Sequence, residues 1–563
     1  MEVNLKGNPF FLNDEQCAWV KTTRDNLSLR EKAGQMICCV SDNDKKEDLV
    51  QKYEEVPFGG ITVRPDKASS IKHLVEYIQN VARVPLLVSA NLENGGTGAA
   101  TDGTEFGSQL QISATGDPKY AYMLGDICGA EGSCIGINYA LAPVIDIPYN
   151  WRNPIINTRT YGTDAGRVAA FASAYMRGIA KHNVAVSIKH FPGDGVDERD
   201  QHLLTSVNTL SCEEWDASYG MVYKTLIEQG AQTVMAAHIL LPAYSRRLNP
   251  VLSDDAIRPA SLSPELIQGL LRGKLGFNGV VITDSAVMTG LSCVLPRREI
   301  PAACINAGCD IFLFGRNLQE DFENLVKDIE SGIISSERLD EAVTRILALK
   351  ASLKLHKAKE FTSNNYKNII GCTAHAHMAE ECADQSVTLV KDTQHLLPVT
   401  PRDHKRICLH ILGDVPTFRG GRTCKEAVIA RLERAGFEVT CPEGEALNKM
   451  LVSTPVEELK ERFDFILYAA NIVTGGNDAV NRIRYIPTAC GQSPQFVKDI
   501  PTMFVSFGSP YHFADVPMIR TFINCYNYSD AVLEAFIEKI TGKSEFSGIS
   551  PVDPFCGMWG ALF

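Results

Sequence analysis

The chain lacks any uninterrupted apolar run near the ~20 residues that a membrane span needs, so no membrane-spanning helix is expected. It also lacks an excess of positive charge. Lys and Arg total 55 against 67 Asp and Glu, a formal net charge of -12, which argues against a nucleic-acid binder and favours a neutral or weakly charged ligand. No Gly-x-x-x-x-Gly-Lys loop and no His-Glu-x-x-His helix occurs, so nucleotide and zinc-hydrolase chemistry are without their usual carriers. Internal repeats, heptad arrays and low-complexity stretches are missing too. The N-terminus, Met1 to Lys6, shows no charged-then-apolar signal pattern.

Thiols, by contrast, are plentiful. The 17 cysteines are odd in number and Cys38 adjoins Cys39, so reduced thiols in a cytoplasmic protein are the simplest reading. Cys372, His375, His377 and Cys382 cluster in sequence, but their spacing fits no strong zinc pattern and packing or surface roles are expected. Neither metal nor cofactor is anticipated. At 563 residues the chain exceeds the roughly 100–200 of one domain, so at least two compact units are expected.

From Met36 to about Arg316, short β-branched runs alternate with helical patterns, which argues for parallel βαβ units. The strands read as 36–40, 60–64, 86–90, 135–140, 184–189, 233–238, 280–284 and 310–315, with helices such as 71–82, 165–180, 213–228 and 264–275 between them. About eight strands close a (β/α)8, or TIM, barrel. Helices 318–331 and 336–355 complete this unit. The expected division is a catalytic barrel over residues 1–355, a polar linker over 356–382 and a smaller C-terminal α/β sandwich domain over 383–563. Strands of that last domain are expected at 386–390, 407–411, 465–469 and 502–507.

Active sites of parallel barrels form at the C-terminal strand ends. Here the third strand runs into Asn91-Leu-Glu93, the fifth into Lys189-His190, the sixth into His238 and the seventh into Asp284. One such residue could simply cap a loop, whereas four on one rim point to a site. Asp284 follows a fully apolar run that would hold its backbone rigidly, which suits a nucleophile at an anomeric carbon. Asp200 and His202, two residues apart, place carboxylate and imidazole on one side of an extended segment. The carboxylate can then orient the ring for general acid and base work.

The segment Ile188-Lys-His-Phe-Pro-Gly-Asp-Gly195 followed by Asp200-Gln-His202 resembles glycoside hydrolase family 3, closest to its β-N-acetylhexosaminidase branch. Leu29 to Met36, Ala142 to Asp146, Asn153 to Gly162, Val234 to His238 and Thr283-Asp284 with Met288 agree in order, covering most of residues 27–320. Ala383 to Asp392 and Leu396 to Pro398 resemble the start of the family's C-terminal domain. The resemblance implies a retaining mechanism with Asp284 as nucleophile and His202 as acid/base, partnered by Asp200. Lys189, His190, Arg159, Asn91 and Glu93 then fall at sugar-binding positions, with His238 and Met288 in the same pocket. The implied activity is that of an exo-β-N-acetylhexosaminidase, a β-N-acetylglucosaminidase above all, acting on a small carbohydrate with a terminal β-linked N-acetylhexosamine. A homodimer is compatible with this reading.

Three departures stand out. Asn91 replaces an aspartate of the family pattern, Ala99 an arginine and Asp194 a histidine. An amide both donates and accepts where a carboxylate only accepts, so recognition of distal hydroxyls is expected to differ. Three alternatives stay open: a β-N-acetylglucosaminide phosphorylase, since a histidine acid/base does not repel incoming phosphate as a carboxylate would; a β-glucosidase; and a non-catalytic sugar-binding protein.

Overall fold

The computed structural model describes residues 3–41, 46–358, 360–414, 423–472, 475–477, 479–485 and 492–561. Two compact units emerge. Met1–Glu105, Ala121–Asn150 and Asp164–His375 make the first, and Phe106–Tyr120, Trp151–Thr163 and Ala376–Phe563 make the second. Two stretches from within the first 355 residues therefore belong to the second unit.

In chain order the strands of the first unit are β1 (Ile37–Ser41), β2 (Gly60–Val63), β3 (Leu87–Ala90), β4 (Tyr139–Ala140), β5 (Ala185–Phe191), β6 (Ser206–Val207), β7 (Thr233–Ala236), β8 (Ile239–Leu240), β9 (Val280–Thr283) and β10 (Phe312–Leu313). Eight of them form one parallel sheet in the order β10-β1-β2-β3-β4-β5-β7-β9. A parallel bridge between Ile282 and Ile311 brings its two ends together, giving a nearly closed eight-stranded α/β barrel. Runs such as Val280-Val-Ile-Thr283 are buried throughout, as strands covered on both faces must be. The short pair β6 and β8 stands apart at the strand ends.

Helices Ala165–Ala180 and Leu318–Glu330 form as their periodicity predicts, each opened by an Asx side chain, Asp164 and Asn317, that accepts from a first-turn N–H. Two expectations need correction. The strand expected from Ile135 is only the pair Tyr139–Ala140, because Gly136, at φ 93°, makes a turn after the preceding helix. The Asn138 side chain then replaces ladder bonds, accepting from Val88 N–H at 2.9 Å and donating to Leu86 O at 3.1 Å. The helix expected over 213–228 widens to π geometry at Asp216–Gly220, and Glu265–Lys274 is wound that way throughout. Among the described residues no helix is long and apolar enough to cross a membrane.

The N-terminal end of the barrel is pinned by a buried ion cluster. Asp310 has no exposed side-chain surface and meets Arg338 at 2.6 Å, Arg272 at 2.8 Å and Arg345 at 3.7 Å, while also accepting from Val281 N–H at 2.9 Å. Burial pushes the Asp310 carboxyl up, but the three guanidiniums outweigh it and hold it below the usual aspartate value. The polar stretch after residue 355 crosses the first unit as a strap, through Thr362 Oγ1 to Glu76 (2.5 Å), Ser363 N–H to Cys134 O (2.8 Å) and Gly371 N–H to Glu131 (3.1 Å).

The second unit holds β11 (Thr388–Asp392), β12 (Arg406–Gly413), β13 (Glu438–Thr440), β14 (Phe465–Asn471), β15 (Thr502–Ser506) and β16 (Thr521–Asn524) in the order β11-β16-β15-β14-β12-β13. Only the edge strand β11 runs antiparallel to its neighbour. Apolar clusters cover both faces of this sheet. Leu110 and Ala114 join Tyr511, Tyr526 and Val552 in a further cluster of the same unit. The described cysteines are free, with no disulfide among them.

Replacing Asp310 by Ala takes the carboxylate from buried Arg272 and leaves Arg338 and Arg345 with Glu341, at 3.2 and 2.6 Å. The expected loss is about 3–5 kcal/mol, read as a lower denaturant midpoint in urea unfolding.

Candidate active site

The first-unit candidates converge at the C-terminal end of the barrel. β5 reaches the rim with an irregularity in its pairing to β7 between Ile188 and Phe191, which falls on Lys189 and His190. Such bulges re-aim side chains. Lys189 Nζ bonds Glu93 at 2.6 Å and Leu141 O at 2.5 Å, tying the loop after β3 to β5. His190 Nδ1 lies 2.6 Å from Asp146 Oδ2. The other oxygen of Asp146 accepts from the N–H groups of His190 (3.2 Å) and Asp194 (2.7 Å), so one fully buried carboxylate fixes both the ring and the following turn. The sequence signal for this anchoring role is a carboxylate ending the apolar run Ala142-Pro-Val-Ile145, which the strand-end reading alone does not single out.

The Gly193-Asp194-Gly195 turn requires its glycines. Their φ angles are 119° and 102°, and a Cβ would lie 2.3 Å from the Tyr219 ring at Gly193 and 2.2 Å from Ile147 O at Gly195. The turn leads into the dyad loop. His202 Nδ1 lies 2.7 Å from Asp200 Oδ1, and the same oxygen accepts from His202 N–H at 2.9 Å. Asp200 is wholly buried while the His202 side chain is 29% exposed, so the ring is oriented from behind and open in front. Asp197 staples the loop by accepting from Arg199 and from Val207 N–H (3.0 Å).

Asp284 follows β9 directly, and its N–H donates to Ala236 O at 2.8 Å. Its Oδ1 accepts from Ser285 N–H at 2.7 Å. Burial pushes this carboxyl up, but the imidazoles of His190, His238 and His202 and the Ser285 N–H outweigh it, holding it below the ordinary 3.8. His238 is driven the other way, its imidazole pushed below 6.5 by burial with Asp284 opposing. Its ring meets Ser261 Oγ at 2.9 Å and Ser285 O at 3.1 Å. Met288 is buried just beyond, before the short helix Thr289–Ser292.

Asn91 sits exposed directly after β3, and Ala99 is buried further along that loop. Arg159 lies on Trp151–Thr163, a stretch of the second unit. Of the sequence cluster at 372–382, His375 bonds the buried Glu131 at 2.7 Å and His377 bonds Glu380 at 2.9 Å. No group of three or more metal-ligating side chains occurs among the described residues.

A carboxylate and three histidines at neighbouring strand ends, on the rim that carries catalysis in parallel barrels, make this the candidate active site of a barrel enzyme. Comparison with known proteins gives the family. Residues 28–349 match the model of the glycosyl hydrolase family 3 N-terminal domain, and the chain belongs to that family of glycosidases. It is 44% identical over 561 residues to a "Beta-N-acetylglucosaminidase/beta-glucosidase" of Cellulomonas fimi, covering 99% of each chain. A solved structure described as "Beta-glucoside phosphorylase BglX" superposes with a TM-score of 0.93 at 41% identity, again over 99% of each chain. A family 3 β-N-acetylglucosaminidase from Paenibacillus sp. str. FPU-7 superposes at 0.78 with 25% identity, covering 94% of this chain and 99% of that one.

With its pKa depressed in the folded state, Asp284 contributes stability above its ordinary pKa that is lost as pH falls through the lower, folded value. More than half of the carboxylate is therefore ionised at pH 3.8. Any acid limb of kcat/KM that Asp284 imposes on an activated aryl glycoside is expected to have its midpoint below that pH, checked by a pH profile with circular dichroism to exclude unfolding.

Proposed function

We propose that this chain cleaves terminal β-linked N-acetylhexosaminides, N-acetylglucosaminides above all, by double displacement. Asp284 attacks the anomeric carbon as the bond to the leaving oxygen breaks, and the His202 imidazolium gives its proton to that oxygen. Water then attacks the glycosyl-enzyme, the now neutral His202 takes its proton, and the ester to Asp284 opens with net retention. The observation that carries this reading is that the Asp284 carboxylate follows β9 on the same rim as a His202 ring clamped through Nδ1 by a buried carboxylate, with His202 O bonded to Thr289 N–H five residues beyond Asp284. Lys189, His190 and Glu93 are the proposed contacts to ring hydroxyls, with His238, Met288 and Asn91 bordering the same sugar and Arg159 a further contact by family resemblance.

A second reading changes only the acceptor. The relative described as a β-glucoside phosphorylase favours it, and so does the acid/base itself. Once His202 has delivered its proton it is neutral, and a phosphate dianion meets no carboxylate in that position. The C. fimi relative's double name, together with Asn91 in place of the family's aspartate, keeps β-glucosides among the substrates to be tested.

The test offers aryl β-N-acetylglucosaminide and aryl β-glucoside with and without inorganic phosphate and identifies the sugar product. Free sugar at an unchanged rate supports hydrolysis; sugar 1-phosphate as the main product replaces it by phosphorolysis. Asp284→Ala is expected to lower turnover by roughly 10³-fold or more. Unchanged turnover in that variant overturns the nucleophile assignment, and a wild-type chain inert on all aryl glycosides points to a sugar-binding protein.

A further inference from the structure

Gln201 stands between Asp200 and His202 in sequence, yet its side chain serves neither. It is 2% exposed. Its Oε1 accepts from the His238 N–H at 2.9 Å, and its Nε2 reaches toward Asp194 Oδ2 at 3.4 Å. Its backbone oxygen accepts from Gly290 N–H at 3.2 Å, six residues beyond Asp284. The approach there is so close that a Cβ on Gly290 would lie 2.4 Å from that oxygen. Next along the chain, His202 O accepts from Thr289 N–H at 3.0 Å, and Thr205 Oγ1 donates to Gly290 O at 2.7 Å.

One residue therefore joins the ends of three barrel strands: the turn after β5 through Asp194, the end of β7 through His238, and the segment after β9 through Gly290. The dyad loop has little regular structure of its own between Phe191 and β6: backbone bonds of Gln201 and His202 and the Thr205 hydroxyl tie it to the segment after β9, and the Gln201 amide ties it to the ends of β5 and β7. An amide suits the position because it offers an acceptor to a buried N–H and a donor to a buried carboxylate at once.

We propose that Gln201 is a positioning residue that sets the place of His202 relative to Asp284, and with it the delivery of the proton to the leaving oxygen. This rests on His202 being the acid/base. The prediction concerns leaving groups. A 2,4-dinitrophenolate departs without protonation, whereas a phenolate or alkoxide needs the acid, whose full contribution is typically 10²–10⁴-fold. Misplacing His202 should therefore cost the poor leaving group more.

The experiment measures kcat/KM of wild type, Gln201→Met and His202→Ala on dinitrophenyl and phenyl glycosides of the same sugar. Gln201→Met keeps the volume and removes both polar atoms. Its loss on the phenyl substrate is expected to exceed its loss on the dinitrophenyl substrate by about 10-fold or more, a lesser form of the split shown by His202→Ala. Equal losses on both substrates, or none, overturn the proposal while a split in His202→Ala leaves the acid assignment standing. No split in His202→Ala overturns that assignment and the proposal with it. Thermal melts establish that Gln201→Met is folded; should it not be, Gln201→Asn, which withdraws the amide from His238 by one methylene, carries the same comparison.

Discussion

A negative charge at the mouth of the barrel is held there by three imidazoles. Burial alone would favour the protonated form of Asp284, and the neighbouring rings of His190, His238 and His202 reverse that preference. Each ring needs an anchor of its own. Asp146 takes the Nδ1 side of His190 and Asp200 that of His202, whereas His238 leans on the neutral Ser261 hydroxyl and a backbone carbonyl. The difference is chemically apt. Two of the rings are held by buried carboxylates, while burial pushes the imidazole of the third, His238, below its ordinary value.

The two ends of the barrel solve different problems. At the N-terminal end, charges are fully paired and shut away around Asp310, where geometry has only to hold. At the C-terminal end, side chains bond to backbone groups of neighbouring loops, as Asp146 does to Asp194 and Gln201 does to His238. Such bonds fix loop against loop while leaving Asn91 exposed and His202 half-buried.

Most of the barrel was legible because β-branched runs and amphipathic periods are local signals. The rim residues Lys189, His190, His238 and Asp284 were legible for the same reason, since each ends such a run. β4 was overestimated because an apolar run through Gly136 reads like strand, and only the backbone shows that Asn138 supplies the missing ladder bonds. Gln201 was invisible for another reason. Its partners lie 7, 37 and 89 positions away, and a glutamine in a polar loop carries no periodic signature. Nor does any composition shift mark 106–120 and 151–163 as members of the second unit.

Those two stretches bear on how the chain can be made and divided. Within the second unit Ser108 bonds Tyr526 O, Asn157 bonds Ser509 and Ala114 O accepts from Ile549 N–H, so partners are separated by some 350 to 435 positions. During synthesis the early segments leave the ribosome long before the residues they will join, and the second unit cannot close until residues 509–549 have emerged. Its folding is therefore late by topology, whatever its stability. A cut after His375 would strand Leu110 and Ala114 without Tyr511 and Tyr526, which makes this catalytic barrel a poor candidate for exchange as a free-standing module.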